Sequence, residues 1–238
     1  MRSWLVTSRG RCFFAGMIIS ARRSFVFVHI PKTGGTSMAL ALEDRAAGDD
    51  ILIGDTPKAK KRRKRQQALQ APGRLWENSS LRDVDGLYPP EVFVFTLVRN
   101  PWDRMFSYYH WLQEQNFDHP AAHVAKAQEF AGYLRDPSVQ SAVRKSAYPS
   151  YVTDAQGRER CDLFARIEHP EDLRPLWKHL GFQLSIPHVY WSRRNRNWCM
   201  YYDAESFEIV SEIASDDVLR FGYDTTLEGG APPSGDAP

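Results

Sequence analysis

The stretch VHIPKTGGTS, at residues 28–37, constrains the fold of this chain more than any other. An apolar run, FVFV at residues 25–28, leads into it, and such β-branched and aromatic residues are typical of a buried parallel strand. Residues 38–43 follow it and are rich in strong helix formers. The pattern predicts a strand, a tight turn around two glycines and a helix.

The turn itself has the composition of an anion-binding loop. Its glycines allow the main chain to approach a ligand closely, and the N-terminus of the following helix directs N–H groups at the same point. A lysine adds positive charge, and hydroxyl side chains can donate hydrogen bonds. The predicted anion-binding residues are Lys32, Thr33, Gly34, Gly35, Thr36 and Ser37.

This loop differs from the loop that binds nucleoside triphosphates. That loop has the form G-x-x-x-x-G-K-[ST], with a lysine after the last glycine, whereas Lys32 precedes both glycines. An ordinary glycine turn after a strand is the alternative. The convergence of a lysine, two glycines and three hydroxyls favours the anion site.

A second motif, TLVRNPWDRMFSYY at residues 96–109, repeats the pattern of strand, polar turn and helix. Arg99 ends the apolar run of residues 92–98, Asn100 is a candidate helix cap, and Pro101 suits the first helical turn. Ser107 lies two turns into the predicted helix. Ligands bind at the carboxyl edge of open parallel sheets, so Arg99 and Ser107 are predicted to bind a second phosphate there.

Together the two motifs resemble the 5′- and 3′-phosphate motifs of sulfotransferases that use PAPS (3′-phosphoadenosine 5′-phosphosulfate). The form RNPWDRxxSYY and the wording HIPKTGGTS are similar to carbohydrate-type sulfotransferases, called sulfotransferase family 2, and to their bacterial relatives. The resemblance extends over residues 25–223. Its C-terminal part consists of DLFARIE at 162–168, IPH at 186–188, SRR at 192–194, YYD at 201–203 and FGY at 221–223.

The resemblance implies a three-layer α/β fold with a central, mainly parallel sheet flanked by helices, which is the P-loop-like sulfotransferase fold. It also implies an enzyme that transfers the sulfuryl group of PAPS to a hydroxyl of a carbohydrate or glycolipid-like acceptor, with PAP (adenosine 3′,5′-bisphosphate) as product. Residues 32–37 would hold the 5′-phosphosulfate, and Arg99 and Ser107 the 3′-phosphate. Basic residues in the loop at 191–200 contact the nucleotide in that family, which makes Arg193 and Arg194 candidates. No metal is expected.

The general base is where the chain departs from the family. Relatives commonly carry a histidine, in the form H-[ST]-x-x-x-[ED], at the position of Asn78, and that histidine is the favoured base. Asparagine cannot take a proton from a hydroxyl. Glu77, one residue earlier, is the candidate base if it faces the acceptor, and has no such role if the turn directs it away.

Length and composition predict one sizeable domain. Of the 238 residues, we expect 1–20 to be an N-terminal extension, 21–225 the sulfotransferase domain and 226–238 a disordered tail. Met17 is the expected natural start, with residues 1–14 poorly ordered. Three scattered cysteines predict neither a disulfide framework nor a zinc site, and no apolar run is long enough for a membrane span. A cytoplasmic location is therefore expected.

Residues 58–65 contain seven basic side chains in eight positions, although the whole chain has a net charge of only +2. One interpretation is a solvated helix face; the other is a contact surface for a polyanion or a membrane. No aromatic residues interleave with the run, which argues against recognition of a nucleic-acid sequence.

The loops at 70–90 and 116–150 are predicted to form the acceptor pocket.

Further elements follow from the pattern of apolar residues. We expect a strand at 51–53, a helix from Pro57, a short helical segment at 81–84, a loop at 148–157 and a strand at 161–167. Helices are also expected at 102–115, 118–130, 170–180 and 204–217. Two other functions stay open: a PAPS- or PAP-binding module of the same fold with impaired catalysis, and a kinase or ATPase with an unusual phosphate loop.

Overall fold

The computed structural model of the chain describes residues 15–76, 78–187 and 197–226. Five strands in this part of the chain form one sheet: β1 (Ala15–Ser20), β2 (Phe25–Val28), β3 (Ile51–Gly54), β4 (Phe93–Val98) and β5 (Leu163–Arg166). Their order across the sheet is β3-β1-β2-β4-β5. β2 pairs in parallel with β4 and β4 with β5, whereas β1 is antiparallel to both neighbours. The predicted mainly parallel sheet is confirmed.

Alternating side chains of the strands form the two halves of the core. Phe25 and Phe27 face one side of the sheet, where they pack with Phe95 and with helix residues. Val26 and Val28 face the other side, among apolar residues of the short helical segment that precedes β4. This alternation follows from the period of two in a β-strand.

Helices flank the sheet, as predicted for an α/β fold. The first three helices are α1 (Gly35–Asp44), α2 (Pro57–Gln66) and α3 (Pro101–Gln113). The next four follow α3 closely: α4 (Pro120–Ala127), α5 (Phe130–Arg135), α6 (Pro137–Lys145) and α7 (Tyr148–Tyr151). The last three are α8 (Arg174–Leu180), α9 (Ala204–Ile213) and α10 (Ser215–Phe221). Shorter 3₁₀ segments are Leu81–Val84, Pro170–Leu173 and Trp198–Tyr201.

A second core lies among the helices beside the sheet. Trp102 is fully buried at the start of α3, and its ring stacks on Phe207 of α9 with centroids 4.6 Å apart. Its indole Nε1 donates a hydrogen bond to the Phe207 carbonyl, and the Tyr202 hydroxyl donates one to the Trp102 carbonyl. These contacts fix the start of α3, which carries the second motif.

The structure corrects the predicted N-terminal boundary. Ala15–Ser20 are not part of an extension but form β1, which lies between β2 and β3 in the sheet. Met17, Ile18 and Ile19 are buried there, so this apolar run belongs to the core. Residues 1–14, and with them most of the predicted extension, lie outside the described residues.

Other differences concern where helices begin and break. Tyr148–Tyr151 forms a helical turn where a loop was predicted, and its first residue is fully buried. The predicted helix at 170–180 begins as a 3₁₀ segment and ends at Gly181 in the left-handed conformation, while the one at 204–217 breaks at Ala214. The predicted disordered tail lies outside the described residues after Thr226. Within the described ranges, every helix is too short or too polar to cross a membrane.

Candidate functional site

The first loop connects β2 to α1 and has an unusual main-chain conformation. Lys32 and Gly34 both adopt left-handed backbone angles, with φ values of 68° and 76°. A lysine in this region is uncommon, and such strain is concentrated at functional sites. The loop thereby turns the chain sharply from the sheet into the helix, as the two glycines predicted.

Gly35, the first residue of α1, lies directly against the buried ring of His29. A Cβ atom at this position would fall 1.9 Å from the His29 Cδ2 atom, which no side chain can tolerate without a shift. The helix cap is Gly34, which brings no side-chain hydrogen bond to the first turn, and that turn contains no acidic residue. The N–H groups at this helix end therefore suit an anion.

The hydroxyls of the loop differ in what they can do. Thr33 is fully buried, and its Oγ1 donates a hydrogen bond to the Ile30 carbonyl over 2.8 Å. Its side chain thus closes the loop internally. Thr36 and Ser37 are half-buried in the first turn of α1, where the sequence pattern placed them.

The second loop connects β4 to α3 and is organised by its own helix cap. Asn100 accepts hydrogen bonds from the main-chain N–H groups of Trp102 and Asp103, as its predicted capping role requires. Arg99 donates from Nε and Nη2 to the Asp103 carboxylate, with an Nε–Oδ2 distance of 2.7 Å. Its Nη1 donates to the main-chain carbonyl of Lys32 over 3.2 Å, so the two loops meet at Arg99.

One face of α3 lies along the first loop. Asp103, Ser107 and Trp111 are spaced by four residues, and side chains with this spacing share one face of a helix. Asp103 holds Arg99, and the Lys32 Nζ atom lies 5.6 Å from the centroid of the Trp111 ring. Ser107, which is only 4% exposed, therefore lies between two contacts with the Lys32 region. The geometry groups the predicted phosphate-binding residues of both motifs.

Several residues that sequence analysis gave no role support the two loops. The buried Arg104 donates from Nε to the Pro31 carbonyl over 3.2 Å. Glu168, two residues after β5, accepts a hydrogen bond from the Asn100 N–H, and burial raises the pKa of this carboxyl. The Tyr148 hydroxyl donates to the Arg99 carbonyl. Arg104 and Glu168 fall within motifs of the family resemblance, which is the signal that pointed to them.

The described residues include only some of the candidates for the general base and for the loop that covers the nucleotide. Asn78 lies half-buried in the turn between Trp76 and the 3₁₀ segment Leu81–Val84. Glu77, Arg193 and Arg194 lie outside the described residues. Among the residues described, no group of three or more His, Cys, Asp or Glu side chains is arranged to hold a metal ion.

Comparisons with known proteins identify the family of the chain. The sequence profile of the sulfotransferase family matches residues 15–224, so the match begins with β1 and covers both loops and the helices around them. Comparisons with curated proteins and with solved structures gave no significant match. Because the profile covers most of the chain, this protein belongs to the sulfotransferase family.

Proposed function

We propose that this protein is a PAPS-dependent sulfotransferase that acts on a hydroxyl group of a carbohydrate or glycolipid-like acceptor. The observation that supports the proposal is the hydrogen bond from Arg99 to the Lys32 carbonyl, because it joins the two loops that the sequence predicts to bind phosphate. PAPS has two phosphate-bearing ends on one ribose, and ATP lacks the 3′-phosphate. A site with two separate anion-binding loops suits the former.

In this proposal each loop holds one end of the nucleotide. The N-terminal turn of α1, with Lys32, Thr36 and Ser37, binds the 5′-phosphosulfate, while Arg99 and Ser107 bind the 3′-phosphate. The acceptor oxygen attacks sulfur, the bond from sulfur to the bridging oxygen breaks, and its electron pair passes to the phosphate of PAP. Lys32 and the helix N–H groups stabilise that charge, as fixed donors do in phosphoryl transfer.

The proton of the acceptor hydroxyl needs a base that Asn78 cannot provide. A positioned base contributes about 10²–10⁴ in rate, so its absence would leave a slow enzyme. This position supports a second candidate function, a module that binds PAPS or PAP with impaired catalysis. Glu77, one residue earlier in the sequence, stays the alternative base.

A kinase or ATPase is less well supported by the site. Such an enzyme needs a carboxylate free to hold magnesium near the phosphates. At the second loop the Asp103 carboxylate is engaged by the Arg99 guanidinium, and the lysine of the first loop precedes its glycines.

The test is transfer of labelled sulfate from PAPS to a panel of mono- and oligosaccharide acceptors, without added metal. We expect transfer by the wild type and a loss of roughly 10²–10³ in rate for Lys32→Ala. Lys126→Ala, at an exposed site on α4, is the matched control and should match the wild type. Binding of PAP without transfer to any acceptor would favour the impaired module. Binding of ATP with magnesium, but not of PAP, would contradict both.

A further inference from the structure

A cleft of about 540 Å³ opens between α2, the end of β3 and the loop that follows α2. This volume is typical of a site for a ligand of moderate size. The lining includes six polar or aromatic residues that could contact a ligand: Asp55, Arg63, Gln66, Gln67, Arg74 and Trp76. None of these residues belongs to the two phosphate-binding loops.

The cleft lies at the same edge of the sheet as the Lys32 loop. β2 and β3 are both antiparallel to β1, so they run in the same direction. Ile18 of β1 pairs with Phe27 on one side and Leu52 on the other, which places the two strands level. Neighbouring strands are about 4.8 Å apart, so the ends of β2 and β3 are separated by roughly 10 Å. The cleft and the Lys32 loop therefore open at the same edge of the sheet.

Gln66, the last residue of α2, is the clearest sign of a ligand. It is 7% exposed, and its amide Nε2 has no hydrogen-bond partner among the described residues. Buried amide groups are normally satisfied, because an unpaired donor destabilises the fold. The Gln66 side chain lines the cleft, and a rotation of its amide would present the donor to the hydroxyl or carboxylate oxygen of a ligand.

One wall of the cleft presents a cation and an exposed indole. Trp76 is 40% exposed, and the Arg74 guanidinium lies 5.8 Å from the centroid of its ring. Arg74 forms no ion pair within the described residues, while Arg63 is paired with Asp55 over 2.6 Å. The indole offers a flat apolar face for a sugar ring, and the guanidinium fork matches a carboxylate or a sulfate.

This wall is held in place by hydrogen bonds. The Ser79 hydroxyl accepts from the Trp76 N–H over 2.9 Å and lies within donating distance of the Arg74 carbonyl, at 3.0 Å. The Gly73 N–H donates to the Asp83 carbonyl. Such preorganisation lowers the entropic cost of binding. Asn78, in the family position of the base, is adjacent to Ser79, so the turn that carries it also shapes the cleft.

The outer face of α2 continues the positive charge beyond the cleft. Lys61 and Lys64 are exposed and form no ion pair with any described residue. Lys58 and Arg62, in contrast, donate to main-chain carbonyls of Glu43 and Asp50. An anionic chain that leaves the cleft along α2 would meet Lys61 and Lys64.

We propose that this cleft is the acceptor site and that it selects a saccharide carrying carboxylate or sulfate groups. Gln66 donates to the sugar, Trp76 packs against its ring, and Arg74 binds its anionic group. The proposal rests on the proposed function, in that the cleft is an acceptor site only if the Lys32 loop holds PAPS.

The test is calorimetric binding to the full chain, with and without saturating PAP, of two probes: an unsulfated chondroitin hexasaccharide and the neutral chitohexaose. We expect the anionic probe to bind at least about ten-fold more tightly and to lose affinity as salt is raised. Arg74→Ala and Gln66→Leu should each weaken it by about ten-fold while PAP affinity stays within about two-fold. The matched controls Arg82→Ala and Gln70→Leu, which lie outside the cleft, should match the wild type.

Gln66→Leu gives a second readout that a purely structural role would not produce. Replacing an unpaired buried amide with an apolar group of similar size should leave the protein as stable as the wild type or more stable. A protein that becomes unstable and keeps its affinity for the saccharide would contradict the assignment of Gln66.

Other outcomes overturn separate parts of the account. Equal affinity for the two probes would refute anionic selection, and unchanged affinity in all cleft variants would refute the site. Loss of binding to anionic phospholipid vesicles in the Arg74 variant, with no saccharide binding by the wild type, would make the surface a membrane contact. Failure of PAP to bind, while the saccharide still binds the cleft, would refute the proposed function and the acceptor role, but not the binding of anionic saccharides by the cleft.

Discussion

The guanidinium of Arg99 donates a hydrogen bond from Nη1 to the main-chain carbonyl of Lys32, across 67 residues of sequence. The Asp103 carboxylate fixes the same guanidinium through Nε and Nη2. Charge-assisted contacts of this kind orient a cation before its ligand arrives. The two loops therefore meet in the folded chain, at the Arg99 guanidinium.

Gly35→Ala should disrupt the first loop. Within a helix, alanine normally stabilises by up to about 1 kcal/mol relative to glycine. Here the added Cβ would lie 1.9 Å from the buried His29 ring, so we expect a net loss of about 1–3 kcal/mol and weaker PAP binding. Chemical denaturation and calorimetry measure the two effects.

Gly48→Ala is the control for this substitution. A Cβ at Gly48 would meet nothing within 4 Å, so the free energy of unfolding should stay within about 0.5 kcal/mol of the wild-type value. If Gly35→Ala behaved like Gly48→Ala in both assays, the close packing of His29 against the loop would be wrong.

Thr33→Val should act on stability more than on ligand binding. The valine keeps the shape of the side chain but removes the donor to the buried Ile30 carbonyl, which costs about 1–3 kcal/mol. Thr33→Ser retains the donor and should lose less. PAP affinity should change little in either variant, because the hydroxyl proton is already used. A stable Thr33→Val protein that no longer binds PAP would show instead that this hydroxyl contacts the ligand.

Stability should depend on pH through Asp217 on α10. Burial raises the pKa of this carboxyl from its usual value to about 6. The hydrogen bonds from the Tyr148 N–H and the positive charge of Arg104 act in the opposite direction and lower the pKa. Of the two nearby charges, Asp216 raises the pKa and Arg220 lowers it. The folded state thus holds a proton that the unfolded state has released between about pH 4 and pH 6. The free energy of unfolding therefore falls as the pH rises through this window.

Asp217→Asn removes this dependence and keeps an acceptor for the Tyr148 N–H. Between pH 4 and pH 7, the wild type should lose on the order of 2 kcal/mol relative to Asp217→Asn. Denaturation series at several pH values measure the difference, and the exposed Asp49→Asn controls for the loss of one charge. A constant difference across this range would contradict the raised pKa.

The sequence predicted those parts of the fold that local signals determine. The strand before Lys32, the helix after Gly35 and the Asn100 cap all follow from short-range patterns, and the structure contains each of them. β1 was missed because its apolar run follows several arginines and resembles a leader segment. The turn that joins it to β2, ARRS at 21–24, also lacks the Asn-Gly or Asp-Gly signal of a hairpin.

The site was predictable in its residue types but not in its contacts. The motifs indicated two phosphate-binding loops, and parallel strands placed both at one edge of the sheet. Two contacts depend on side-chain directions in the folded chain. They are the hydrogen bond from Arg99 to the Lys32 carbonyl and the one from the Thr33 hydroxyl to a carbonyl inside the loop. The cleft beside Gln66 depends on how the loop after α2 folds back toward β3, for which no periodic pattern exists.

The central claim, that Arg99 recognises a 3′-phosphate beside the Lys32 loop, is tested most directly by calorimetry with PAP and with adenosine 5′-monophosphate. The second ligand lacks only the 3′-phosphate, so the ratio of the two affinities isolates the contribution of that group. We expect the wild type and the control Arg82→Ala to prefer PAP by about ten- to a hundred-fold, and Arg99→Ala to lose this preference. The same preference in Arg99→Ala, or no preference in the wild type, would contradict the account.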